Sequence, residues 1–179
     1  MNFEWFKQIC NNFNIVNINR DDNIKMKGIF ELQTYTNNKI VDDIKKQNII
    51  VGTSFDILKN LLVDGDVDYR INTLKLGDGG IYNSNIKEAL VTENDLYSPL
   101  ESKVIPAIYT SADVLLDIAS RSIKYTWIFD ENEGNGAGAR IYNEAGLFSN
   151  NLTMFSKKNF SEVVKTADKK MIISWTIKF

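Results

Sequence analysis

Four groups of residues in this sequence have types and spacings that could do chemistry. Asp64, Asp66 and Asp68 recur at every second position, the opening spacing of a calcium loop in which alternate carboxylates surround a hard cation. Tyr69 stands where that loop needs its glycine and Lys75 where it needs its closing glutamate, so the run reads as a solvated helix-to-strand turn. Gly77-Asp78-Gly79-Gly80 puts three glycines in four positions, which suits either a phosphate cradle or a turn whose backbone angles exclude side chains. No Gly-Lys-Ser/Thr follows, so the turn is the expected reading. Glu131, Glu133 and Glu144 contain the carboxylates of a hypothetical glycosidase pair, which needs two acids about 5 to 10 Å apart in a cleft. Two of the three fall in a glycine-rich tip, which argues against that use. Trp127 and Trp175 would stack on sugars if exposed, but both occupy alternating apolar faces that read as core.

The absent residue types narrow the chemistry further. The 179 residues include no histidine, so the commonest general base, the commonest zinc ligand and every Ser-His or Cys-His pair are excluded. The single cysteine, Cys10, has no internal disulfide partner and reads as a small hydrophobe. No catalytic residue, metal ligand or cofactor-binding residue is assigned, and no cofactor is expected. Lys and Arg number 21 against 23 Asp and Glu, which leaves a net charge of -2 and no basic field for a nucleic-acid backbone. Hydrophobic residues at 44% and charged residues at 25% are the balance of a globular chain. The opening residues lack the charge pattern and cleavage site of a signal peptide, and no window supplies the ~20 apolar residues of a membrane span. Synthesis in the cytoplasm without a membrane partner is expected.

The elements that would position these residues are mostly strands. Phe3, Phe6, Ile9 and Phe13 recur at intervals of three and four, predicting an amphipathic helix; with Trp5 beside the stripe, part of that face is a candidate subunit interface. Residues 24–36 alternate as a long strand, and Asn37 and Asn38 form a loop. Thr53 or Ser54 caps a helix with Phe55, Leu58, Leu61 and Leu62 on its apolar face, stopped at Asp64-Gly65. Strands are expected at 69–76, 102–109 with Pro106 at an edge, 122–130, 139–143, 152–160 and 171–179. Residues 83–100 read as a long loop, 112–120 fit helix or strand, and 131–138 read as a mobile hairpin tip. In the final strand Met171, Ile173, Trp175, Ile177 and Phe179 share one face. The expected fold is mainly β, an antiparallel β-sandwich with short helices near the N-terminus, organised as one domain over 1–179 in which a 1–47 helix-and-strand arm packs on a 48–179 core.

The order of these signals carries more than any one of them. Asn48-Ile49-Ile50-Val51, Leu61-Leu62 before Gly65, Leu76-Gly77-Asp78-Gly79-Gly80, Asp95-Leu96, Asn143-Glu144-Ala145-Gly146-Leu147-Phe148, Phe155-Ser156-Lys157-Lys158, Lys165-Thr166 and Ile173-Ser174-Trp175-Thr176-Ile177 follow one another along the chain. This succession resembles the N-terminal domain of bacteriophage tail-collar fibre proteins and the small collar or neck proteins of contractile tails and prophage-derived tail-like particles, over residues 48–179.

The resemblance implies a non-enzymatic virion protein, a collar subunit that forms a homo-oligomeric six-fold ring and contacts tail tube, sheath or terminator proteins. It would be assembled in a bacterial cytoplasm and released by lysis within a phage or bacteriocin (tailocin) particle, a contractile injection system. A baseplate or fibre-attachment adaptor of the same particle is one alternative, and a carbohydrate-binding sandwich is another. Under this reading Gly77, Asp78, Gly79 and Gly80 make a structural turn. Gly146 permits a corner between strands, and Glu144 accepts backbone N–H groups that the corner leaves unpaired.

Overall fold

The computed structural model describes residues 26–179. The aromatic stripe of Phe3, Trp5, Phe6, Ile9 and Phe13, together with Cys10, lies outside the described residues. The first two strands, β1 (Lys27–Thr36) and β2 (Lys39–Ile50), are joined by Asn37 and Asn38 at φ 51° and 61°. Two successive left-handed residues make a hairpin turn whose twist matches the flanking strands, and asparagine tolerates that conformation at low cost. A short helix, α1 (Ser54–Lys59), runs into a π-helical turn at Asn60–Asp64 that Gly65 ends at φ 63°, and a 3-10 turn follows at Val67–Tyr69. The remaining elements are β3 (Ile71–Gly77), β4 (Ile81–Tyr82), β5 (Asn85–Ile86), β6 (Pro99–Val104), β7 (Val114–Asp117), β8 (Ser122–Phe129), β9 (Ala139–Ser149), β10 (Met154–Thr166) and β11 (Lys170–Lys178).

The chain is mainly β, and its antiparallel sheet curls into a sandwich-like fold. Nine strands run in the order β6-β3-β9-β10-β2-β1-β11-β8-β7, and β4-β5 form a separate small hairpin. The curl is concentrated between β10 and β2, which pair only at Lys157 with Ile49 and Ser156 with Ile50. Beyond those positions the strands diverge, so β6-β3-β9-β10 form one layer and β2-β1-β11-β8-β7 the other. Between the layers Phe30 of β1 lies 5.2 Å, ring centroid to centroid, from both Phe160 of β10 and Trp175 of β11. Period-two burial places Phe30 and Leu32, Tyr125, Trp127 and Phe129, and Met171, Ile173, Trp175 and Ile177 in this core. A smaller cluster of Val51, Leu96, Phe148 and Met154 covers the outer side of β9. With both faces packed, β9 is buried without alternation from Tyr142 to Ser149.

Several expectations change. Residues 27–47, expected as part of an arm laid on the core, are strands inside the nine-stranded sheet, and the boundary drawn after residue 47 falls within β2. In α1 the wholly buried apolar side chain is Ile57, while Phe55 and Leu62, assigned to the apolar face, are 68% and 83% exposed. The turn after Lys59 is π-helical, so a 3.6-residue period drifts out of phase before Leu62. The Thr53 hydroxyl donates to the Met154 carbonyl (2.5 Å) and does not cap the helix. Residues 112–120 contain strand β7; β6 is indeed an edge strand but ends before Pro106. Residues 131–138 link β8 to β9 in different layers, so they are not a hairpin tip. Phe179 is 47% exposed and lies past the end of β11.

Candidate functional site

On the outer face of β3-β9-β10, the residues singled out in the sequence meet in one polar cluster. Gly77 of β3 lies opposite Glu144 of β9, Lys75 opposite Gly146, and Gly146 opposite Lys157 of β10. The loop from 87 to 98 folds across them. Glu144 is wholly buried, and its Oε1 accepts from the backbone N–H of Gly79 (3.1 Å) and Ser98 (2.7 Å), while Oε2 accepts from Tyr97 N–H (2.9 Å). Next to it Asn143 Oδ1 accepts from Gly80 N–H at 2.7 Å. Two adjacent side chains of one strand thus tie down the glycine turn and the end of the long loop, both segments that would otherwise bury unpaired donors.

The glycines serve this arrangement by their lack of a side chain. Gly77, Gly79 and Gly80 all lie outside the left-handed region. A Cβ at Gly79 would meet Tyr97 Cβ at 2.5 Å and Glu144 Oε1 at 2.9 Å, and one at Gly77 would meet the same oxygen at 2.6 Å. Close approach, not backbone angle, is therefore the reason for the run, which corrects the expectation from sequence. Gly146 is likewise mid-strand and not at a corner; a Cβ there would strike Phe148 Cε2 at 2.5 Å and Leu96 Cδ2 at 3.1 Å. Glu144 accepts N–H groups as its residue type suggested, but they come from other segments of the chain.

The charge of Glu144 is balanced by Lys157, a wholly buried lysine. Its ammonium lies 3.5 Å from Glu144 Oε2, 3.1 Å from Glu93 Oε2 and 3.5 Å from the centroid of the Tyr97 ring, and donates to the Asp95 carbonyl at 3.3 Å. Burial of a charge is tolerated when it is paired and hydrogen-bonded in this way. The Tyr97 hydroxyl donates to Glu93, and that bond, with burial, pushes its pKa up to about 12. Lys87 sits 4.0 Å from the same ring and donates to Gly79 O at 2.6 Å. Both oxygens of the Glu144 carboxylate are occupied by internal donors, so this residue works as a clamp between the sheet and the loop.

The other candidates are not brought to this cluster. Asp66 accepts from Asp68 N–H at 2.9 Å as the cap of the 3-10 turn, and Asp68 accepts from Asn150 and Asn151. Among the described residues no group of three His, Cys, Asp or Glu side chains is arranged to hold a metal. Asp78 donates its N–H to Ser98 O at 3.2 Å. Glu133 pairs with Lys103 at 2.6 Å, and Glu131 is exposed. Trp127 and Trp175 are 2% and 0% exposed, which withdraws both from any ligand.

Sequence reasoning missed Glu93 and Tyr97, and it gave no role to Lys157 or to a second buried lysine, Lys165, although both fall in runs that carry the resemblance. Lys165 donates to the carbonyls of Asp130 (3.0 Å) and Thr166 (3.2 Å), and burial pulls its pKa down. Alternation gave no signal for Lys157, because Met154 to Lys157 are buried in succession; it was present for Lys165, which follows Val163 on the buried face of β10 with Val164 exposed between them. Two surfaces also went unnoticed, an apolar corner at Phe55, Leu62, Val63 and Val67 and an apolar edge at Ile108, Leu115, Leu116 and Ile118. Comparison with known proteins returns no match, whether to a family model, a curated protein or a solved structure.

Proposed function

We propose that this chain is a non-enzymatic structural subunit of a contractile phage tail or phage-tail-like bacteriocin particle, assembled as a homo-oligomeric ring at the collar. The observation that carries the reading is that the residues behind the resemblance act on one another. Gly77 to Gly80 and Asn143 to Phe148 pack side by side, and the Glu144 carboxylate between them is consumed in holding two loops to a sheet. A scaffold rigidified in this way, with large apolar side chains such as Leu62 at 83% and Ile118 at 91% exposure, suits a protein whose work is to be covered by neighbours. Its partners would be further copies of itself and the tail tube, sheath or terminator proteins, and its location the assembled particle.

Negative-stain microscopy of the recombinant chain tests the assembly, with closed rings expected. Labelling the protein within intact particles tests the position. Label at the end away from the sheath–tube junction would move the chain to a baseplate or fibre-attachment adaptor, and a persistent monomer that retains glycans on an array would replace the structural reading with a lectin.

A further inference from the structure

The divergence of β2 from β10 leaves a strand edge open. Their pairing ends after Lys157 with Ile49, so among the described residues no strand pairs with the outer edge of β2 from Lys39 to Asn48. Between the two strands lies a groove of about 780 Å³, walled by Asp43, Ile44, Lys45 and Lys46 on one side and Lys158, Asn159 and Phe160 on the other; the Asp43 carboxylate is turned to Gln33, whose Nε2 donates to it, and leaves the lysines in excess. Lys45 is held by Glu31 at 2.5 Å. Lys46 and Lys158 have no carboxylate partner among the described residues, and burial together with the nearby Lys46 charge pulls the Lys158 pKa down. A carboxylate arriving in the groove would relieve that repulsion. The groove is thus a backbone edge that favours an acidic strand.

An acidic strand with an unprotected edge lies at the other end of the same layer. β7 ends the sheet, and Leu115, Leu116 and Ile118 beside it are 49%, 63% and 91% exposed. Exposed edges are ordinarily blunted by lysine or proline. Residues 110–120 contain neither, and their charged residues are Asp113 and Asp117. The opposite terminal strand, β6, is blunted: it begins at Pro99 and carries Lys103, paired with Glu133, and Glu101, paired with Arg140. Of the two terminal edges, charge and exposure therefore single out β7.

We propose that β7 of one copy adds as a strand to the free edge of β2 in a second copy, with Asp113 and Asp117 facing Lys46 and Lys158. The proposal rests on the ring reading above and supplies its contact. Main-chain bonds along β2 give the affinity, and the lysines select an acidic strand over other edges. The two surfaces differ and lie on opposite edges of one layer, so the contact is head-to-tail, the kind that closes into a ring.

Cysteine trapping tests this directly. In a Cys10→Ser background, chains carrying Lys46→Cys are mixed with chains carrying Leu115→Cys and oxidised mildly. Within one molecule these positions are four strand spacings apart, about 19 Å, whereas a disulfide needs Cα atoms within about 7 Å, so only a bond between copies is possible. Disulfide-linked dimers from the mixture, and a ladder from a chain carrying both cysteines, are expected. Lys46→Glu and Asp113→Asn/Asp117→Asn probe charge in parallel. Lys46 is exposed, and the asparagines keep oxygen acceptors for the turn N–H groups that both aspartates cap, so circular dichroism should match wild type. Light scattering should show each variant needing at least tenfold more protein to assemble. Wild-type rings with no trapped dimer, or with assembly indifferent to both charge changes, would overturn this contact and leave the ring reading standing. A wild-type chain that is monomeric at every concentration would overturn both.

Discussion

Glu144→Ala is the sharpest perturbation of the polar clamp. It deletes the acceptor of the backbone N–H groups of Gly79, Tyr97 and Ser98, all within 3.1 Å of the carboxylate in the folded chain. A buried donor left without a partner costs about 1–3 kcal/mol, so three would reach several kcal/mol if the loop could not move. Lys157 loses one carboxylate but keeps Glu93 at 3.1 Å, so the full cost of orphaning a buried charge, about 3–5 kcal/mol, does not apply. The loop end at Tyr97 and Ser98 can lift to let water reach the donors, and that relaxation brings the expected cost to about 4 kcal/mol. At about 2–4 °C per kcal/mol for a chain of this size, the melting midpoint should fall by about 8–16 °C. Glu144→Gln is the more discriminating variant. Its oxygen still serves Gly79 and Ser98, but its NH2 confronts the Tyr97 N–H and the Lys157 ammonium, donors against donors, and about 2–3 kcal/mol should be lost. Urea unfolding followed by the fluorescence of the core tryptophans measures both. A Glu144→Gln protein within about 0.5 kcal/mol of wild type would show that the carboxylate is not holding the loop by its charge and acceptors.

Gly146→Ala should lower stability by about 1–3 kcal/mol because the new methyl overlaps Phe148 and Leu96, and adding Phe148→Leu should recover part of the loss in the same urea titration. Trp175→Ala should cost about 3–5 kcal/mol, since Trp175 is fully buried on β11 between β1 and β8; an unchanged thermal midpoint with lost oligomers would place this strand at an interface instead. Tyr97 should ionise near pH 12 in the folded chain against about 10 when unfolded. Because its folded pKa is raised, the stabilisation it provides is complete below about pH 10 and is lost as pH rises toward about 12, and Glu93→Gln should bring the ultraviolet titration of Tyr97 back down.

How much of this was legible in the sequence depends on whether a residue's neighbours were close in the chain or only in space. The strands β1, β8 and β11 were readable because each packs one face on the core and leaves the other wetter, so their side chains alternate. β9 was not readable to its full length: from Tyr142 onward both of its faces are covered, one by the opposite layer and one by the loop from 87 to 98, and alternation vanishes. The glycine turn was found and misexplained for the same reason. The sequence marks Gly79 as a residue without a side chain but cannot show that Tyr97 and Glu144, 18 and 65 residues away, are what a side chain there would strike.

The buried lysines complete that argument. Lys157 is next to Lys158 in a strand whose residues look like an ordinary solvated edge, yet one is wholly buried and the other opens onto the groove. The strand leaves its two-residue pairing with β2 at this point, so residues on its outer face are covered by the loop from 87 to 98, while those beside β2 lose their neighbour. Two neighbouring residues of β10 thus meet opposite surroundings, the loop from 87 to 98 over Lys157 and the open groove beside Lys158. Lys157 is buried against Glu144, which fixes the loop, and among the described residues Lys46 and Lys158 have no carboxylate partner beside the unpaired edge of β2. The first needs an internal carboxylate to be stable and has two, Glu144 and Glu93. By the same electrostatic reasoning, the second gains from an external carboxylate, so assembly through this edge should weaken as salt is raised, as contacts between incompletely buried charges do. Light scattering of wild type from low to high salt should register that loss, and a mass that holds or grows at high salt would assign assembly to the apolar corner at Leu62 and Val63 instead.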